Sequence, residues 1–142
     1  MIRSETEYLQ ALRRLKEEQA QLEEHEKELR GSGLRGKDLK RAMDPLRSFH
    51  EQLAEEIESY ERLRRGDFAE LRNFQGLGRA LVGLRIARGI TQRELAERLG
   101  VHESQVSRDE RNEYHGITVE RASKILDALQ AECVSEIHLE SV

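Results

Sequence analysis

The sequence predicts a mainly α-helical chain, with an antiparallel helical hairpin first and a compact domain of four to five short helices after it. Three observations predict this fold class. The 142 residues include one proline and no tryptophan, and leucine and alanine dominate the apolar residues. Two long stretches carry their apolar residues on one helical face. A third region, residues 77–129, divides into short helical segments separated by glycine or polar capping residues.

The first long stretch, residues 4–30, is predicted to be a single helix. Its apolar stripe follows a heptad spacing and consists of Tyr8, Leu12, Leu15, Leu22 and Leu29. The alternate seam positions carry Gln19 and Glu26, so the stripe is half polar. It fits either a solvated helix whose leucines pack on one neighbour or a dimeric coiled coil. The segment GSGLRG then ends the helix.

The second stretch runs to Arg65, and its apolar stripe consists of Leu39, Met43, Leu46, Phe49, Leu53, Ile57 and Tyr60. The residue before a proline avoids the helical region, so either Asp44 caps a new helix that starts at Pro45 or one kinked helix continues through this pair. The short loop between the two stretches predicts an antiparallel hairpin over residues 1–65. Two helices enclose little core, so we expect the hairpin to bind a second copy or a partner, and to carry more of the self-association than the C-terminal tail.

Residues 66–76, GDFAELRNFQG, are predicted to be a linker between two glycines. Its apolar residues Phe68, Leu71 and Phe74 are expected to dock on one of the flanking domains. A second domain, residues 77–142, follows.

Residues 91–111 read as two short helices joined by a tight turn. Thr91 is a good N-cap for the first helix, and Leu95 and Leu99 form its buried face. Gly100 supplies the left-handed residue that ends this helix. Val106 of the second helix points back to the core. The opposite, solvent-facing side of the second helix carries Glu103, Ser104, Ser107 and Arg108.

The region after this helix pair completes the predicted domain. Thr118 caps a fourth helix, and the residues of that helix that complete the core are Ala122, Ile125, Leu126 and Leu129. Residues 133–142 then alternate with a period of two, which fits a short β-strand or a frayed terminus. A single strand in a helical chain has no partner of its own, so we expect any such strand to pair across a dimer axis.

Four motifs occur in order within residues 77–129: LRIARG at the end of one helix, TQ and ELA opening the next, GV at the turn, and SRDER closing the second helix of the pair. In this combination the segment resembles the Xre-type, or Cro/CI lambda-repressor-like, helix-turn-helix family. The resemblance implies a DNA-binding domain whose second paired helix is the recognition helix. It also implies a buried ion pair between Arg85 and Glu110 that ties the first helix of the domain to the recognition helix.

The resemblance also assigns the expected DNA contacts. Thr91 and Gln92 would approach a phosphate, and the polar face of the recognition helix would face base edges. The full set of expected contacts is Thr91, Gln92, Arg93, Glu103, Ser104, Ser107, Arg108, Arg111, Tyr114 and His115. Two alternatives stay open, since His102 and His115 are either exposed helix-end residues or DNA contacts. Tyr114 either reaches a phosphate through its hydroxyl or packs on the fourth helix.

The sequence departs from the family pattern at several positions. Asp109 stands where an apolar residue is usual, and Asn112 stands where glycine normally ends the recognition helix. Asparagine tolerates the left-handed conformation, so we expect the second change to cost little. The usual proline before the fourth helix is absent, and His115, Gly116 and Ile117 occupy this segment. These changes leave the expected fold in place, but the family pattern does not determine the path of residues 112–117.

Charge gives a mixed indication about nucleic acid. The formal net charge of −4 disfavours a polyanionic partner. Residues 76–124 nevertheless hold nine Lys/Arg against seven Asp/Glu, whereas residues 125–142 add four acids and no base. A modestly positive DNA face with few phosphate contacts is expected, and hence weak non-specific binding.

The sequence predicts no enzyme, metal site or cofactor. Its five histidines show no HxxxH or HExxH spacing, and the lone Cys133 is either a packing residue or a reactive thiol. Charged residues interrupt every apolar run and the start, MIRSETEY, has no apolar signal core, so we expect a cytoplasmic protein with no membrane partner.

These observations predict a sequence-specific DNA-binding regulator, a homodimeric repressor whose hairpin serves dimerisation or partner capture. Small Xre-type proteins with an added interaction segment resemble antitoxins that repress their own operon, so a cognate toxin is one expected partner. The alternative is a protein–protein interaction module in which the helix-turn-helix has become a scaffold. Glu103 and Asp109 on the recognition helix favour this alternative.

Overall fold

A computed structural model describes residues 1–142 and contains six α-helices and no β-strand. The helices are α1 (Glu5–Gly31), α2 (Gly36–Arg64), α3 (Leu77–Ala87), α4 (Gln92–Leu99), α5 (Glu103–Arg111) and α6 (Val119–Ala128). The chain divides into two compact units, Met1–Arg62 and Leu63–Val142. The mainly α fold class is therefore confirmed. None of the six helices is long and apolar enough to span a bilayer.

In the first unit, each predicted stretch forms one helix. Ser4 caps α1 by accepting a hydrogen bond from the Glu7 backbone N–H at 3.1 Å, and α1 then runs for 27 residues. Helix α2 runs for 29 residues with Pro45 in its interior. Of the two alternatives at Asp44-Pro45, the structure has the continuous helix. Met43 and Leu53 are both buried, so the two parts of α2 share one apolar face on either side of the proline, and this shared burial compensates for the missing backbone donor.

The two helices of this unit run antiparallel. The ring of Tyr8, near the start of α1, stacks on Tyr60, near the end of α2, with centroids 4.8 Å apart. The Tyr8 hydroxyl donates to Glu61 at 2.6 Å. Toward the other end of the hairpin, Arg47 forms an ion pair with Glu26 at 3.2 Å. The hairpin core is narrow, because Leu15, Leu22 and Leu29 of the heptad stripe are only half-buried.

In the second unit, helices α3 to α6 surround a small apolar core. Its most buried side chains are Leu81, Val82, Leu95, Val106, Ile125 and Leu129. Gly78 allows the start of α3 to approach the segment after α5, since a Cβ at this position would lie 1.7 Å from the Glu113 carbonyl oxygen. This close approach holds the N-terminal end of α3 against the residues that follow α5.

The segment before α3 docks only in part. Leu71 is half-buried, and the Phe68 ring lies so close to Gly83 that a Cβ there would be 2.8 Å from its Cε1 atom. Phe74 is 60% exposed, so the expectation that it docks is wrong. Asn73 and Phe74 both have positive φ angles, which places the Phe74 side chain in a turn rather than on a helix face.

Two further expectations need correction. Residues 133–142 form no strand, because a lone strand has no neighbour to pair its backbone donors and acceptors. Asn112 is not left-handed and has a φ of −86°. Glu113 and Tyr114 take the left-handed conformation instead, each with a φ of 52°. The Tyr114 N–H then donates to the Asp109 carbonyl at 2.7 Å, and this bond closes the end of α5.

Candidate nucleic-acid interface

The helix pair is fixed by caps at both helix starts and by the turn between the helices. Thr91 accepts from the Glu94 N–H at 3.1 Å while the Glu94 carboxylate accepts from the Thr91 N–H at 2.9 Å, so the two form a reciprocal capping box. Gly100 ends α4 with a φ of 68° and a ψ of 31°. Both the cap and the glycine lie where the sequence predicts them. Together they set the angle at which α5 leaves the turn.

Helix α5 has one buried and one exposed face. Val106 and Glu110 are buried, and they anchor the helix to the domain. The expected base-reading residues Glu103, Ser104 and Arg108 are exposed, and Ser107 is half-buried beside them. Arg111 is also exposed, in the last turn of the helix. The structure thus brings the expected residues of α5 together on the accessible side of the helix.

His102 is the N-cap of α5. Its Nδ1 atom accepts from the Ser104 N–H at 3.1 Å and lies 2.8 Å from the Ser104 hydroxyl oxygen. The capping role of His102 is not evident from the sequence, because histidine is not among the preferred N-cap residues.

A buried ion pair joins α3 to α5, as the resemblance implies. The Arg85 Nε atom donates to Glu110 Oε2 at 2.6 Å and Nη2 donates to Oε1 at 2.7 Å. The two side chains are 4% and 0% exposed. Arg85 Nη1 also donates to the Ile90 carbonyl at 2.9 Å, and Gln92 Nε2 donates to Glu110 at 2.9 Å. The carboxylate of Glu110 therefore accepts from two helices at once, and it fixes the position of α5 relative to both.

Three of the expected DNA contacts lie at the start of α4 and differ in their surroundings. Thr91 is exposed, with its hydroxyl engaged in the capping box. Gln92 is half-buried and directs its amide nitrogen to Glu110. Arg93 is 74% exposed and forms only a long ion pair with Glu97, at 3.5 Å. Arg93 is thus the most accessible cation at this end of α4.

Asp109, which departs from the family pattern, forms an ion pair with Arg121 of α6. This contact ties α5 to α6, at a position where the family pattern has an apolar residue. The pair is not evident from the sequence, because Arg121 lies twelve residues away and no local pattern links it to Asp109. Two further arginines bind the carbonyl groups at the C-terminal end of α6. Arg88 donates to the Leu129 carbonyl at 3.0 Å, and Arg98 donates to the Ala128 carbonyl at 2.8 Å.

Tyr114 and His115 follow α5 and lie in different environments. The Tyr114 side chain is 5% exposed, which corresponds to the packing alternative. Burial raises the pKa of its hydroxyl, and the nearby carboxylates of Glu110 and Asp109 raise it further. His115 is exposed.

The arrangement offers no cluster of three His, Cys, Asp or Glu side chains that could hold a metal ion. What it offers is a short exposed helix with hydroxyl, carboxylate and guanidinium groups, held by a buried ion pair. Residues 83–133 match the family model described as helix-turn-helix. This match covers α4, α5 and α6 and the last five residues of α3, and it agrees with the resemblance that the motifs indicate. Neither a curated protein nor a solved structure matches the chain.

Proposed function

We propose that residues 77–142 form a sequence-specific DNA-binding domain and that the chain acts as a dimeric transcriptional repressor. The observation that carries this proposal is the accessible face of α5, where Glu103, Ser104 and Arg108 are all exposed. An α-helix that presents such groups from a rigid domain fits the width of the DNA major groove.

The rigidity of α5 supports the same reading. The His102 cap acts at the start of the helix, and the Arg85–Glu110 and Asp109–Arg121 pairs hold its last turn to α3 and α6. Reading base edges requires side chains placed to within a fraction of an ångström, and such placement depends on a supporting layer of contacts.

Arg108 is the residue that we assign to base recognition. Its guanidinium is exposed and makes only a long contact, 3.4 Å, with the Ser104 carbonyl of its own helix. A guanidinium can donate to the O6 and N7 atoms of guanine at the same time. Arg93, at the start of α4, and Arg111, at the end of α5, are exposed and are assigned to phosphates.

The partner roles are further parts of this proposal. Two recognition helices about 34 Å apart would reach successive major grooves, and a repressor that makes few phosphate contacts needs both for tight binding. The hairpin of residues 1–65 would supply dimerisation or hold a second protein, such as the toxin of an autoregulated pair. The half-buried heptad leucines and the exposed Phe49 support a partner on this unit.

The second candidate function is a protein–protein interaction module. It draws on Glu103, an exposed acid at the start of α5, and on the net charge of −4. Asp109 no longer supports it, because its carboxylate is paired with Arg121.

A mobility-shift assay on the DNA upstream of the protein's own gene separates the two candidates. We expect a shifted complex whose affinity falls about 5- to 150-fold in Arg108→Ala, the equivalent of about 1–3 kcal/mol. The matched control is Arg14→Ala, which removes one exposed arginine from the hairpin and should leave the complex unchanged. Absence of a complex at low salt would favour the interaction module, and an equal loss on unrelated DNA would make Arg108 a phosphate contact.

A further inference from the structure

The second unit contains an open apolar groove that none of the α5 residues lines. Its volume is about 690 Å³, and its apolar wall includes Phe74, Leu77, Ile117, Val119, Leu126 and Cys133. Phe74 and Val119 are 60% and 76% exposed. A concave surface lined by exposed apolar side chains is typical of an interaction site.

The C-terminal tail begins at this groove and then leaves it. Cys133 and Ser135 line the groove, and alternate residues of an extended chain share one face. Ile137 and Leu139 continue this alternation in the sequence, yet they are 94% and 99% exposed. The apolar residues of the tail beyond Ser135 are therefore exposed and are not packed on their own chain.

The tail contains few residues that favour tight turns. Residues 134–142 contain no glycine, proline, asparagine or aspartate, and Ser135 and Ser141 are the only residues there of a turn-favouring type. Extended at about 3.3 Å per residue, the seven residues 136–142 reach roughly 23 Å beyond Ser135. This reach carries Ile137 and Leu139 away from the groove that their own chain forms.

We propose that residues 136–142 of one chain lie in the groove of a second copy, and that the second copy returns the same contact. The chain carries both the groove and the segment that fits it, so a twofold pair satisfies both surfaces at once. Each copy contributes a seven-residue tail segment and a groove lined by fifteen residues, so a twofold exchange engages two tails and two grooves at once.

The lone Cys133 allows a direct test, because it is exposed and lines the groove. One tagged form of the full-length chain keeps Cys133. The other carries Cys133→Ser together with Leu139→Cys. In the exchanged dimer, the thiol introduced at position 139 enters the groove that holds Cys133, so mild oxidation should join the two forms. The matched control places the new thiol on the opposite face, with Cys133→Ser and His138→Cys, and should give a much lower yield.

A groove variant makes the test specific. Val119→Glu, in the Cys133 form, should abolish the cross-link, whereas Lys124→Glu, an exposed change on α6 that lies outside the groove lining, should preserve it. Thermal melting checks that both variants fold. Equal cross-linking at positions 138 and 139 would overturn the proposal. A second result would also overturn the proposal. If a chain that carries both Cys133 and Leu139→Cys forms a disulfide within itself at every protein concentration, the tail occupies its own groove. The measurement needs no DNA, so its outcome is independent of the proposed repressor function.

Discussion

The hairpin and the helix-turn-helix unit place their charged residues in opposite settings. In the hairpin, the ion pair Arg62–Glu58 joins residues four apart on one helix, and both side chains are exposed. In the second unit, Arg85 and Glu110 pair across two helices with almost no exposure. Exposed pairs are worth little because water and salt screen them, whereas a buried charge is costly once its partner is removed. Substitution of a single charged residue should therefore destabilise the second unit far more than the hairpin.

The two units also differ in how completely they bury their apolar side chains. The second unit buries Leu95, Ile125 and Leu129 completely. The hairpin leaves Phe49 at 68% exposure and its heptad leucines half-buried. A two-helix unit has too little interior to cover both stripes, so part of its apolar surface stays available to another molecule.

Removing Glu110 should give the largest effect. Glu110→Ala strands the buried Arg85 guanidinium and should lower the free energy of unfolding by about 3–5 kcal/mol. Glu58→Ala in the hairpin should change it by less than about 1 kcal/mol, because the Arg62–Glu58 pair is exposed. Chemical denaturation followed by circular dichroism measures both. Equal effects of the two substitutions would contradict the contrast between the units.

Two glycines of the second unit separate steric clash from backbone strain. A Cβ at Gly78 meets the Glu113 carbonyl at 1.7 Å, so Gly78→Ala should cost about 3 kcal/mol through overpacking of backbone against backbone. A Cβ at Gly100 meets nothing within 4 Å, so Gly100→Ala should cost only the left-handed strain of about 1–2 kcal/mol. The same denaturation assay ranks them. A smaller loss at Gly78 would show that the segment after α5 shifts to make room.

Tyr114 should make the second unit sensitive to alkaline pH. Burial raises the pKa of its hydroxyl above the ordinary value of 10.0. The folded state therefore keeps the proton where the unfolded chain releases it, and the associated stability is complete below pH 10 and declines as pH rises above that value. Wild-type stability should fall relative to Tyr114→Phe by up to about 1.4 kcal/mol per pH unit in this range. Parallel pH profiles of the two proteins would show that the hydroxyl is not buried.

The smallest effect is expected at Phe49 of the hairpin. Because its ring is 68% exposed, Phe49→Ser should change the free energy of unfolding by less than about 0.5 kcal/mol. Sedimentation analysis of the same variant tests whether this ring contributes to self-association. A stability loss above about 1 kcal/mol would mean that Phe49 is covered by another molecule in solution.

The sequence predicted those features that depend on local patterns. Apolar periodicity and capping residues located the helices, and the glycine at position 100 located the turn. The Arg85–Glu110 pair came from the resemblance, and no spacing rule would have found it. The Asp109–Arg121 pair and the αL residues Glu113 and Tyr114 were missed because they depend on how α6 packs against the end of α5. Of the two alternatives for residues 133–142, the single chain has no strand, because alternation in sequence does not supply a neighbouring strand.

The central claim is that the exposed face of α5 reads DNA sequence. It is tested most directly by selecting sites from a pool of random duplex DNA with the full-length protein and, in parallel, with Arg108→Ala. The account predicts that the wild type enriches one motif containing a guanine whose preference disappears in Arg108→Ala, while the rest of the motif persists. Failure of the wild type to enrich any sequence, or an identical motif from both proteins, would contradict it.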